Sequence, residues 1–371
     1  MNLSYWEKKS LLTNIDFTVV GSGIVGLTCA LVLKERFPKA DILILERGWQ
    51  PQGASTKNAG FACFGSLSEI LDDLKSQSEA QVFDLVKKRH DGLVLLRQIL
   101  SDEAIGFRQF GGHELFTKAD KATYDECLSQ KEHINKLLFP LFGHKVFSFK
   151  ENKYGFKNIE KKYCYTPFEG QIDTGKMMAS LINLVLSKGV KILNTISVEY
   201  FEETKSSVFI QTNRFEFESK KLFIATNGFA QQLIDEAVKP ARAQVLITKP
   251  IDGLHIKGTF HMDKGFYYFR NVDNRILFGG GRNLDFKGEE TTQMGQTDII
   301  QNRLEELLRT VILPETMFEI DHRWSGIMGV GSHKSPIVKP ISQHVFCGVR
   351  MGGMGIAIGS LVGKELAQMI D

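Results

Sequence analysis

Cysteine is scarce and scattered in this sequence, with five residues among 371 and no Cys-x-x-Cys pair. This distribution argues against a disulfide framework and against a cysteine-rich zinc site, and it favours a reducing compartment. Residues 1–17 lack the apolar run of a secretory signal. No stretch approaches the roughly 20 apolar residues that cross a bilayer. We therefore expect a soluble, cytoplasmic protein without an integral membrane segment.

An excess of one charge sign is also missing. Lysine and arginine total 46 against 43 acidic residues, which gives a formal charge of +3. That balance does not favour binding to nucleic acid or to an acidic membrane surface. Short basic runs such as Lys87-Lys88-Arg89 are typical of a solvated helix face. His261, His322 and His333 are isolated and lack metal-ligand spacing, so we assign them no role and expect no metal site.

The first strong pattern is a strand–helix–strand unit. Phe17 to Val20 is a short apolar run, typical of a buried parallel strand. It leads into the glycine triplet of residues 21–26 and a helix that ends at Pro38. Ile42 to Leu45 then forms the second strand. A GxGxxG motif in this position predicts a dinucleotide-binding site.

Each part of that motif has a physical task. Gly21 permits a tight turn, Gly23 lets the backbone approach a pyrophosphate, and Gly26 lets helix and strand pack closely. The start of the helix directs free N–H groups at the phosphates. Glu46 ends the second strand, where a carboxylate accepts hydrogen bonds from an adenosine ribose. Arg47 is either a clamp for an NADP phosphate or an exposed residue that lies along the adenine.

Three features favour FAD over NAD. Residues 53–61 offer small side chains and backbone amides to a phosphate chain and a flat ring system. Ile224 to Gly228 is a strand that runs into a second glycine turn. Gly352 to Gly355 forms a third turn, between a strand over residues 345–349 and a helix over residues 356–369. A helix start aimed at the pyrimidine edge of a flavin stabilises the negative charge of the reduced ring.

Together these motifs resemble the D-amino acid oxidase, glycine oxidase and sarcosine oxidase superfamily of flavoproteins. The resemblance runs from Phe17 to the carboxyl end and is carried by residues 21–26, 45–48, 53–60 and 352–356. It implies that Asn58, Ala59 and Gly60 line the isoalloxazine and that Val198 contacts the adenine. The expected cofactor contacts are Gly21, Gly23, Gly26, Glu46, Arg47, Ser55, Asn58, Ala59, Gly60, Val198, Gly228, Gly352, Gly353, Met354, Gly355 and Ile356.

The expected fold class is α/β with an α+β insert: a Rossmann-like FAD-binding domain interwoven with an antiparallel-sheet substrate domain. Dinucleotide-type units at the start, middle and end of the chain favour one cofactor domain that is interrupted twice. The FAD-binding domain takes residues 1–75, 165–235 and 325–371, and the substrate-binding domain takes residues 76–164 and 236–324. Some family members hold the flavin through a cysteine before the last strand. Residues 326–331 contain none, so we expect non-covalent FAD.

Periodicity gives the coarse secondary structure. Apolar spacing predicts one long helix over residues 68–100 and further helices over residues 171–188 and 297–311. A hairpin is predicted around Asn213-Arg214, and residues 241–281, which are rich in aromatic and β-branched side chains, predict mostly sheet.

Amine oxidation by a flavin depends on orientation more than on acid–base groups, so a carboxylate anchor and a fitted pocket are expected. Arginine suits a carboxylate better than lysine does. Arg350, just before the closing glycine turn, is the first candidate anchor, with a bond to a backbone carbonyl or to a flavin oxygen as the alternative. Arg270 is the second candidate. Tyr268, or with less support Tyr267, is the candidate hydroxyl donor, and a core aromatic is the alternative. Neighbours on a strand face opposite ways, so only one tyrosine can enter the pocket.

We therefore expect a FAD-dependent oxidoreductase that oxidises the C–N bond of an amino acid or secondary amine, with dioxygen or a carrier as electron acceptor. One alternative is a flavin dehydrogenase of a 2-hydroxy acid or amine that passes electrons to a quinone or carrier. A second alternative is a non-catalytic flavoprotein subunit, and a third is an NAD-linked dehydrogenase. The visible spectrum of the purified protein and a panel of amines separate these four interpretations.

Overall fold

The computed structural model describes residues 3–370, in which helices and strands alternate along the chain. The α-helices are α1 (Tyr5–Leu11), α2 (Ile24–Arg36), α3 (Ala54–Lys57), α4 (Leu67–Leu74), α5 (Glu79–Leu100), α6 (Lys121–Phe142), α7 (Thr174–Ser187), α8 (Asp298–Leu307) and α9 (Gly355–Ala367). The strands are β1 (Ile15–Val20), β2 (Ile42–Glu46), β3 (Phe61–Ala62), β4 (Gly112–Leu115), β5 (Ser148–Glu151), β6 (Lys162–Thr166), β7 (Gly170–Gln171), β8 (Lys191–Asn194), β9 (Val198–Glu203), β10 (Val208–Thr212), β11 (Glu216–Ile224), β12 (Lys239–Thr248), β13 (Thr259–Met262), β14 (Tyr267–Val272), β15 (Arg275–Gly280), β16 (Ile320–Val330), β17 (Ile337–Pro340) and β18 (Val345–Val349).

The first sheet contains the dinucleotide-type units. Its order is β17-β18-β11-β1-β2-β8, and β10 and β9 extend it beside β11. β1 is parallel to both β2 and β11, β11 is parallel to β18, and β2 is parallel to β8. Because the carboxyl ends of parallel strands meet at one edge, the turns after β1, β2, β11 and β18 become neighbours.

Alternate residues of this sheet enter two different apolar cores. Val19, Ile44 and Phe223 pack with α2, α7 and α9 on one face. Leu222 and Ile224 pack with β9 and β10 on the other face. Burial on both faces explains why these strands read as continuous apolar runs in the sequence.

The second sheet is built mostly from the middle of the chain. Its order is β16-β12-β15-β14-β13-β4-β6-β5, and all neighbours are antiparallel except β13 and β4. Its core includes Phe260, Phe269 and Phe278 together with Ile300 and Leu304 of α8. β3 and β7 pair as a separate two-stranded sheet. Each of these strands connects, along the chain, a strand of one large sheet to a strand of the other. The predicted sheet over residues 241–281 is thus confirmed as β12 to β15.

Two of the predicted helices are shorter than the apolar pattern indicates. The single helix predicted over residues 68–100 is wrong, because α4 ends at Leu74 and α5 begins at Glu79. Ser78 and Gln81 form a capping box that fixes this new start, and apolar periodicity cannot reveal such a break. In place of the helix over residues 297–311, α8 ends at Leu307 and a π-helical turn follows. The hairpin around Asn213-Arg214 is confirmed by the pairing of β10 with β11.

The expected domain division stays a prediction, and two strands cross its boundaries: β6 spans the one between residues 164 and 165, and β16 spans the one between residues 324 and 325. β16 lies wholly in the second sheet although the boundary was drawn between residues 324 and 325. α5 packs on α9 so closely that a Cβ at Gly92 would lie 2.1 Å from the carbonyl oxygen of Ala357. Residues 1, 2 and 371, which belong to the expected FAD-binding segments, lie outside the described residues. Within residues 3–370, no helix is long and apolar enough to span a bilayer.

Candidate active site

One cavity of about 580 Å³ is lined by all three glycine turns, although they are far apart in the sequence. Gly21 and Gly23 come from the turn after β1, Thr226 and Asn227 follow β11, and residues 352–355 precede α9. A second region of the lining comes from α4, α5 and the β13–β15 meander. We call the first region the glycine-turn portion and the second, which includes Glu69, Arg89, His261, Lys264 and Arg282, the charged portion.

Close backbone approaches account for the glycines of the first turn. Gly21 has a φ of +102°, and a Cβ there would lie 2.9 Å from the carbonyl oxygen of Ala225 at the end of β11. A Cβ at Gly26 would lie 1.9 Å from the carbonyl oxygen of Gly21, so this glycine does not face the cavity. Gly26 instead permits α2 to leave the strand at close range, as its position in the motif predicts.

Three helix starts in the lining lack a side-chain cap: that of the four-residue α3, after Gly53, and those of the longer helices α2 and α9. Gly23 precedes α2 and Met354 precedes α9, and neither supplies a capping side chain, whereas Ser66, Ser78 and Asp173 cap α4, α5 and α7. The amides in the first turn of a helix have no intrahelical acceptor, and the helix dipole adds positive potential there. The cavity therefore fits a ligand with a pyrophosphate at one helix start and an electron-rich ring edge at another, as in FAD.

Glu46 lines the cavity at the end of β2 and is held in place by its own turn. One carboxylate oxygen, Oε2, accepts from the amide and the hydroxyl of Ser22 at 3.1 and 2.6 Å, and Oε1 accepts from the amide of Gly48 at 2.9 Å. Arg47 also lines the cavity, with its guanidinium 3.6 Å from the ring centre of Phe229. Val198 lines the same stretch, so the residues predicted to meet the ribose and the adenine lie together.

The segment from Ala54 to Gly60 is fixed by side chains from distant elements. Asn58 donates to the carbonyl of Ser55 at 2.8 Å, and its Oδ1 accepts from the amide of Gly60 at 2.9 Å and from the Thr174 hydroxyl at 2.7 Å. Trp324 donates its indole N–H to the carbonyl of Lys57 at 2.9 Å. The backbone of this segment is thereby held as a rigid wall of the cavity.

Arg270 lies behind this wall and does not line the cavity. Its Nε donates to the carbonyl of Ala59, and Nη2 donates to the carbonyl of Ile172 at 3.0 Å. A Cβ at Gly60 would lie 2.6 Å from Nη2, which explains why residue 60 is glycine with a φ of +74°. Burial lowers the pKa of Arg270 to about 10, so it stays charged at neutral pH. Its expected role as a substrate anchor is not compatible with this position.

Arg350 also points away from the cavity lining. Its Nε donates to the carbonyl of Ser335 at 3.0 Å and Nη1 donates to the carbonyl of Ala237 at 3.3 Å. The preferred expectation, a carboxylate anchor, is therefore replaced by the alternative of a bond to backbone carbonyls. With a φ of +66°, residue 350 turns the chain out of β18 and into the closing glycine turn.

Of the two neighbouring tyrosines, Tyr268 faces the cavity and Tyr267 packs in the core of the second sheet. Tyr268 meets Phe61 edge to face, with ring centres 5.6 Å apart. Residue 279 on the next strand is glycine, since a Cβ there would lie 2.8 Å from the Tyr268 hydroxyl oxygen. Burial raises the pKa of Tyr268 to about 12, so the hydroxyl keeps its proton.

The sequence-based expectations missed two arginines in the lining. Arg89 on α5 is 3% exposed, and its one hydrogen bond among residues 3–370 runs from Nη1 to the carbonyl of Phe64 at 2.9 Å. The interpretation of Lys87-Lys88-Arg89 as a solvated face is wrong for its last residue. Arg89 falls in register with Val82, Val86 and Leu96 on the buried face of α5, and a lone cation within such an apolar stripe was the available signal.

Arg282 is the second missed arginine and follows the glycine run at the end of β15. Its guanidinium lies 4.8 Å from the ring centre of Phe286. Among the described residues it has no ion pair or hydrogen bond, although burial lowers its pKa. The other two cations of the charged portion and its rim are neutralised, since Lys264 pairs with Asp72 at 3.0 Å and Lys334 pairs with Asp73 at 2.6 Å.

His261, which the sequence left without a role, lies at the base of the charged portion. It is 4% exposed, and its Nε2 is 2.9 Å from Oε2 of Glu169. Burial opposes the charged form, but attraction to Glu169 outweighs it and raises the pKa of His261 to about 9. The ring of His261 meets Phe61 edge to face at 5.4 Å. A buried ion pair therefore supports the aromatic wall from below.

Cys63 is the cysteine that lines the cavity, and its sulfur lies 3.6 Å from the sulfur of Met354. Burial raises the pKa of its thiol strongly, so the reactive thiolate is not formed at neutral pH. Such a thiol does not favour a covalent bond to a flavin.

Most of the predicted cofactor residues meet in this cavity. Those in the lining are Gly21, Gly23, Glu46, Arg47, Ser55, Asn58, Ala59, Val198, Gly352, Gly353, Met354, Gly355 and Ile356. Gly26, Gly60 and Gly228 lie directly behind it, and a Cβ at Gly228 would lie 2.5 Å from the carbonyl oxygen of Met328 on β16. These three residues permit close packing of the wall instead of contacting a ligand.

Comparison with known proteins agrees with this geometry. The family model DAO, described as FAD dependent oxidoreductase, matches residues 16–369. Gamma-glutamylputrescine oxidoreductase of Escherichia coli is 23% identical over 375 residues, which cover 96% of this chain and 83% of that protein.

Solved structures share the fold at low sequence identity. L-proline dehydrogenase from P. horikoshii superposes with a TM-score of 0.76 at 17% identity, covering 97% of this chain and 94% of the other. Glycine oxidase from Geobacillus kaustophilus superposes with a TM-score of 0.77 at 17% identity, covering 95% and 94%. The expected fold class, an α/β cofactor domain with an interwoven sheet domain, is thereby confirmed.

Proposed function

Because the chain belongs to the DAO family of FAD-dependent oxidoreductases, we propose that it oxidises the C–N bond of an amino acid whose carboxylate binds Arg89. The chain is a FAD-dependent enzyme of amines or amino acids, and non-covalent binding of the cofactor is typical of the family. The carboxylate and the residue that binds it are the new elements of this proposal.

The incomplete hydrogen bonding of Arg89 carries the proposal. A guanidinium has five N–H donors, and in a buried site an unsatisfied charge is costly unless a partner arrives. Arg89 uses one donor on the carbonyl of Phe64. It also lies near Cys63, where its positive charge lowers the thiol pKa against the larger effect of burial. A substrate carboxylate would supply two acceptors in the fork geometry that arginine prefers. Arg270 and Arg350 already donate to two carbonyls each and have less to gain.

The residues around Arg89 would orient the rest of the substrate. Phe61 and Tyr268 form an aromatic wall, and Met354 and Cys63 add apolar surface beside the start of α9. With the carboxylate fixed at Arg89, this wall limits rotation of the amine and keeps water from the reacting carbon. FAD held by the glycine-turn portion would accept the hydride from this carbon; a neutral amine would thereby become an iminium, which would lose its N–H proton to water to give the imine.

Arg89→Met tests the assignment by separating substrate binding from cofactor binding. We expect the KM for a carboxylate-bearing amine to rise about 100-fold, because losing one partner of a buried charge pair costs roughly 2–5 kcal/mol. FAD retention should stay within twofold of the wild type. The melting temperature of the substrate-free holoenzyme should not fall, since the variant removes a buried and poorly bonded charge.

Arg350→Met is the matched control, as it removes an arginine that the cavity lining does not include. Its KM should stay within twofold of the wild type. The proposal fails if Arg89→Met loses FAD while its KM is unchanged, or if Arg350→Met gives the larger rise in KM. Anaerobic reduction of the holoenzyme by the substrate, followed by mixing with air, then identifies the electron acceptor: fast reoxidation with hydrogen peroxide indicates dioxygen, and slow reoxidation indicates a carrier.

A further inference from the structure

The charged portion contains a second arginine, whose side-chain donors have no acceptor among the described residues, and the proposed function does not use it. Arg282 lines the cavity, and its guanidinium lies over the ring of Phe286 without a hydrogen bond or salt bridge among residues 3–370. The acidic residue that acts on it, Glu289, is already held by Arg242 through two hydrogen bonds of 2.9 and 2.7 Å. Arg282 thus presents free donors to whatever fills the cavity.

Glu69 lies in the same lining, and one of its two carboxylate oxygens has no hydrogen-bond donor among the described residues. Its Oε2 accepts from the amide of Ser66 at 3.0 Å as part of the capping box of α4. Within the described chain, Oε1 has no hydrogen-bond donor and Glu69 has no ion pair, although the residue is only 9% exposed. One half of this carboxylate therefore has a structural task, and the other half faces the cavity without a partner.

Both charges adjoin the β13–β14 turn. A Cβ at Gly265 would lie 3.0 Å from Oε1 of Glu69, so the carboxylate packs against that turn. The next residue, Phe266, accepts at its carbonyl from the amide of Gly281 at 2.9 Å, and Arg282 follows directly. Phe266 also lines the cavity and meets Phe286 edge to face. Glu69 therefore contacts this turn at Gly265, Arg282 follows the residue that bonds to Phe266, and among the described residues the two form no salt bridge with each other.

We propose that Arg282 and Glu69 bind the two ends of an α-amino acid head group, located on the part of the substrate away from the oxidised carbon. This inference rests on the proposed function and names the substrate class: a secondary amine that has a carboxylate near the reacting C–N bond and a free amino acid group at its other end. A head group of this kind carries an ammonium and a carboxylate on one carbon. Its carboxylate would pair with Arg282 and its ammonium with Glu69, so the head group would add no net charge to the site.

The chemistry of the two residues matches that head group better than the alternatives. A second carboxylate alone would satisfy Arg282 and would be repelled by Glu69. A simple alkylammonium tail would satisfy Glu69 and leave Arg282 without an anion. Lys264 and Lys334 do not compete for the carboxylate, because Asp72 and Asp73 already neutralise them. The zwitterion is the single group that completes both partners.

Two amines that differ only in the head group test the proposal. Nε-(carboxymethyl)lysine has a secondary amine, a nearby carboxylate and the amino acid head, and N-pentylglycine replaces the head with an alkyl end. We expect kcat/KM with wild-type holoenzyme to be at least 10-fold higher for the first compound. Calorimetric titration under anaerobic conditions should give a correspondingly lower Kd. Equal values for the two compounds would overturn the inference while leaving the proposed function intact, whereas failure of both to reduce the enzyme would contradict the proposed function itself.

Two variants then locate the effect. Glu69→Gln keeps the capping interaction, because glutamine also serves in a capping box, and it removes the charge. Arg282→Met removes the guanidinium. Each should raise the KM for Nε-(carboxymethyl)lysine about 10- to 100-fold and leave N-pentylglycine within twofold. Lys287→Met, an exposed change in the same loop, should affect neither compound. A rise in KM of equal size for both compounds, or loss of FAD in Arg282→Met, would assign these residues to stability or cofactor binding instead.

Discussion

The two portions of the cavity differ in the groups that line them: backbone in one and long side chains in the other. The glycine-turn portion consists of backbone: the uncapped starts of α2 and α9, and turns in which Gly21 and Gly228 are required because another backbone segment approaches within 3 Å. The charged portion consists of long side chains from α4, α5, β13 and the end of β15. A ligand common to a whole family needs fixed amides, whereas a particular substrate needs charges that can be exchanged by single mutations. The difference suggests that cofactor and substrate binding can be changed independently.

The largest expected effect comes from damage to the backbone of the glycine-turn portion. Gly26→Val would force a side chain into the carbonyl oxygen of Gly21, 1.9 Å from the Cβ position. We expect the purified variant to be colourless, with FAD affinity reduced more than 100-fold. Gly53→Ala is the control, since residue 53 also lines the cavity but has a φ of −75° and nothing within 4 Å of its Cβ position. A yellow Gly26→Val protein with normal FAD content would contradict the assignment of FAD binding to the backbone of the glycine-turn portion.

An intermediate effect is expected at Arg270, a side chain that serves the backbone wall. Arg270→Leu leaves the buried carbonyls of Ala59 and Ile172 without their donors, and each loss costs about 1–3 kcal/mol. The melting temperature should fall by several degrees, and FAD should bind about 10-fold more weakly. KM measured with saturating FAD should change little. The matched control is Arg309→Leu, which removes an exposed guanidinium that pairs with Glu305 and, among the described residues, donates to no backbone carbonyl. A selective rise in KM for Arg270→Leu would return this residue to the substrate-binding role.

The smallest expected effect is a pH dependence of stability that contrasts two buried histidines. The pKa of His261 is raised to about 9, so its contribution is complete below its ordinary pKa of about 6.5 and is lost as the pH rises through 9. Burial lowers the pKa of His113 to about 4, so its contribution is present above 6.5 and is lost as the pH falls towards 4.

Melting temperature measured from pH 4 to pH 10 checks this contrast. We expect a maximum near pH 6.5, with a decline of a few degrees on either side. His261→Gln should flatten the alkaline side, and His113→Gln should flatten the acidic side. The opposite assignment, or no change in either slope, would contradict the raised and lowered pKa values.

The glycine-turn portion could be predicted from the sequence because its parts are short local motifs. Residues 21–26, 53–60 and 352–356 each contain the turn and the helix start that the chemistry requires, and the structure brings them to one cavity. Arg89 follows two exposed lysines, and its register with the buried apolar positions of α5 was the one local signal; its place in the cavity lining depends on how α5 packs in the fold. Arg350 shows the reverse error, since the sequence placed it in the site and the structure does not. Its sequence neighbours are cavity residues, but a φ of +66° directs its side chain to backbone carbonyls.

The packing of α2 against α9 has a consequence for biosynthesis. A Cβ at Gly363 would lie 2.6 Å from the carbonyl oxygen of Val25, so the helix after the first glycine turn is completed by the last helix of the described chain. During translation the early segment emerges first, and it lacks this partner until residues 355–367 have been synthesised. We expect the apolar residues of α2 that pack in the core with α9 to stay uncovered until then. Because residues 352–355 also line the cavity, we expect FAD to bind only after this segment has been synthesised.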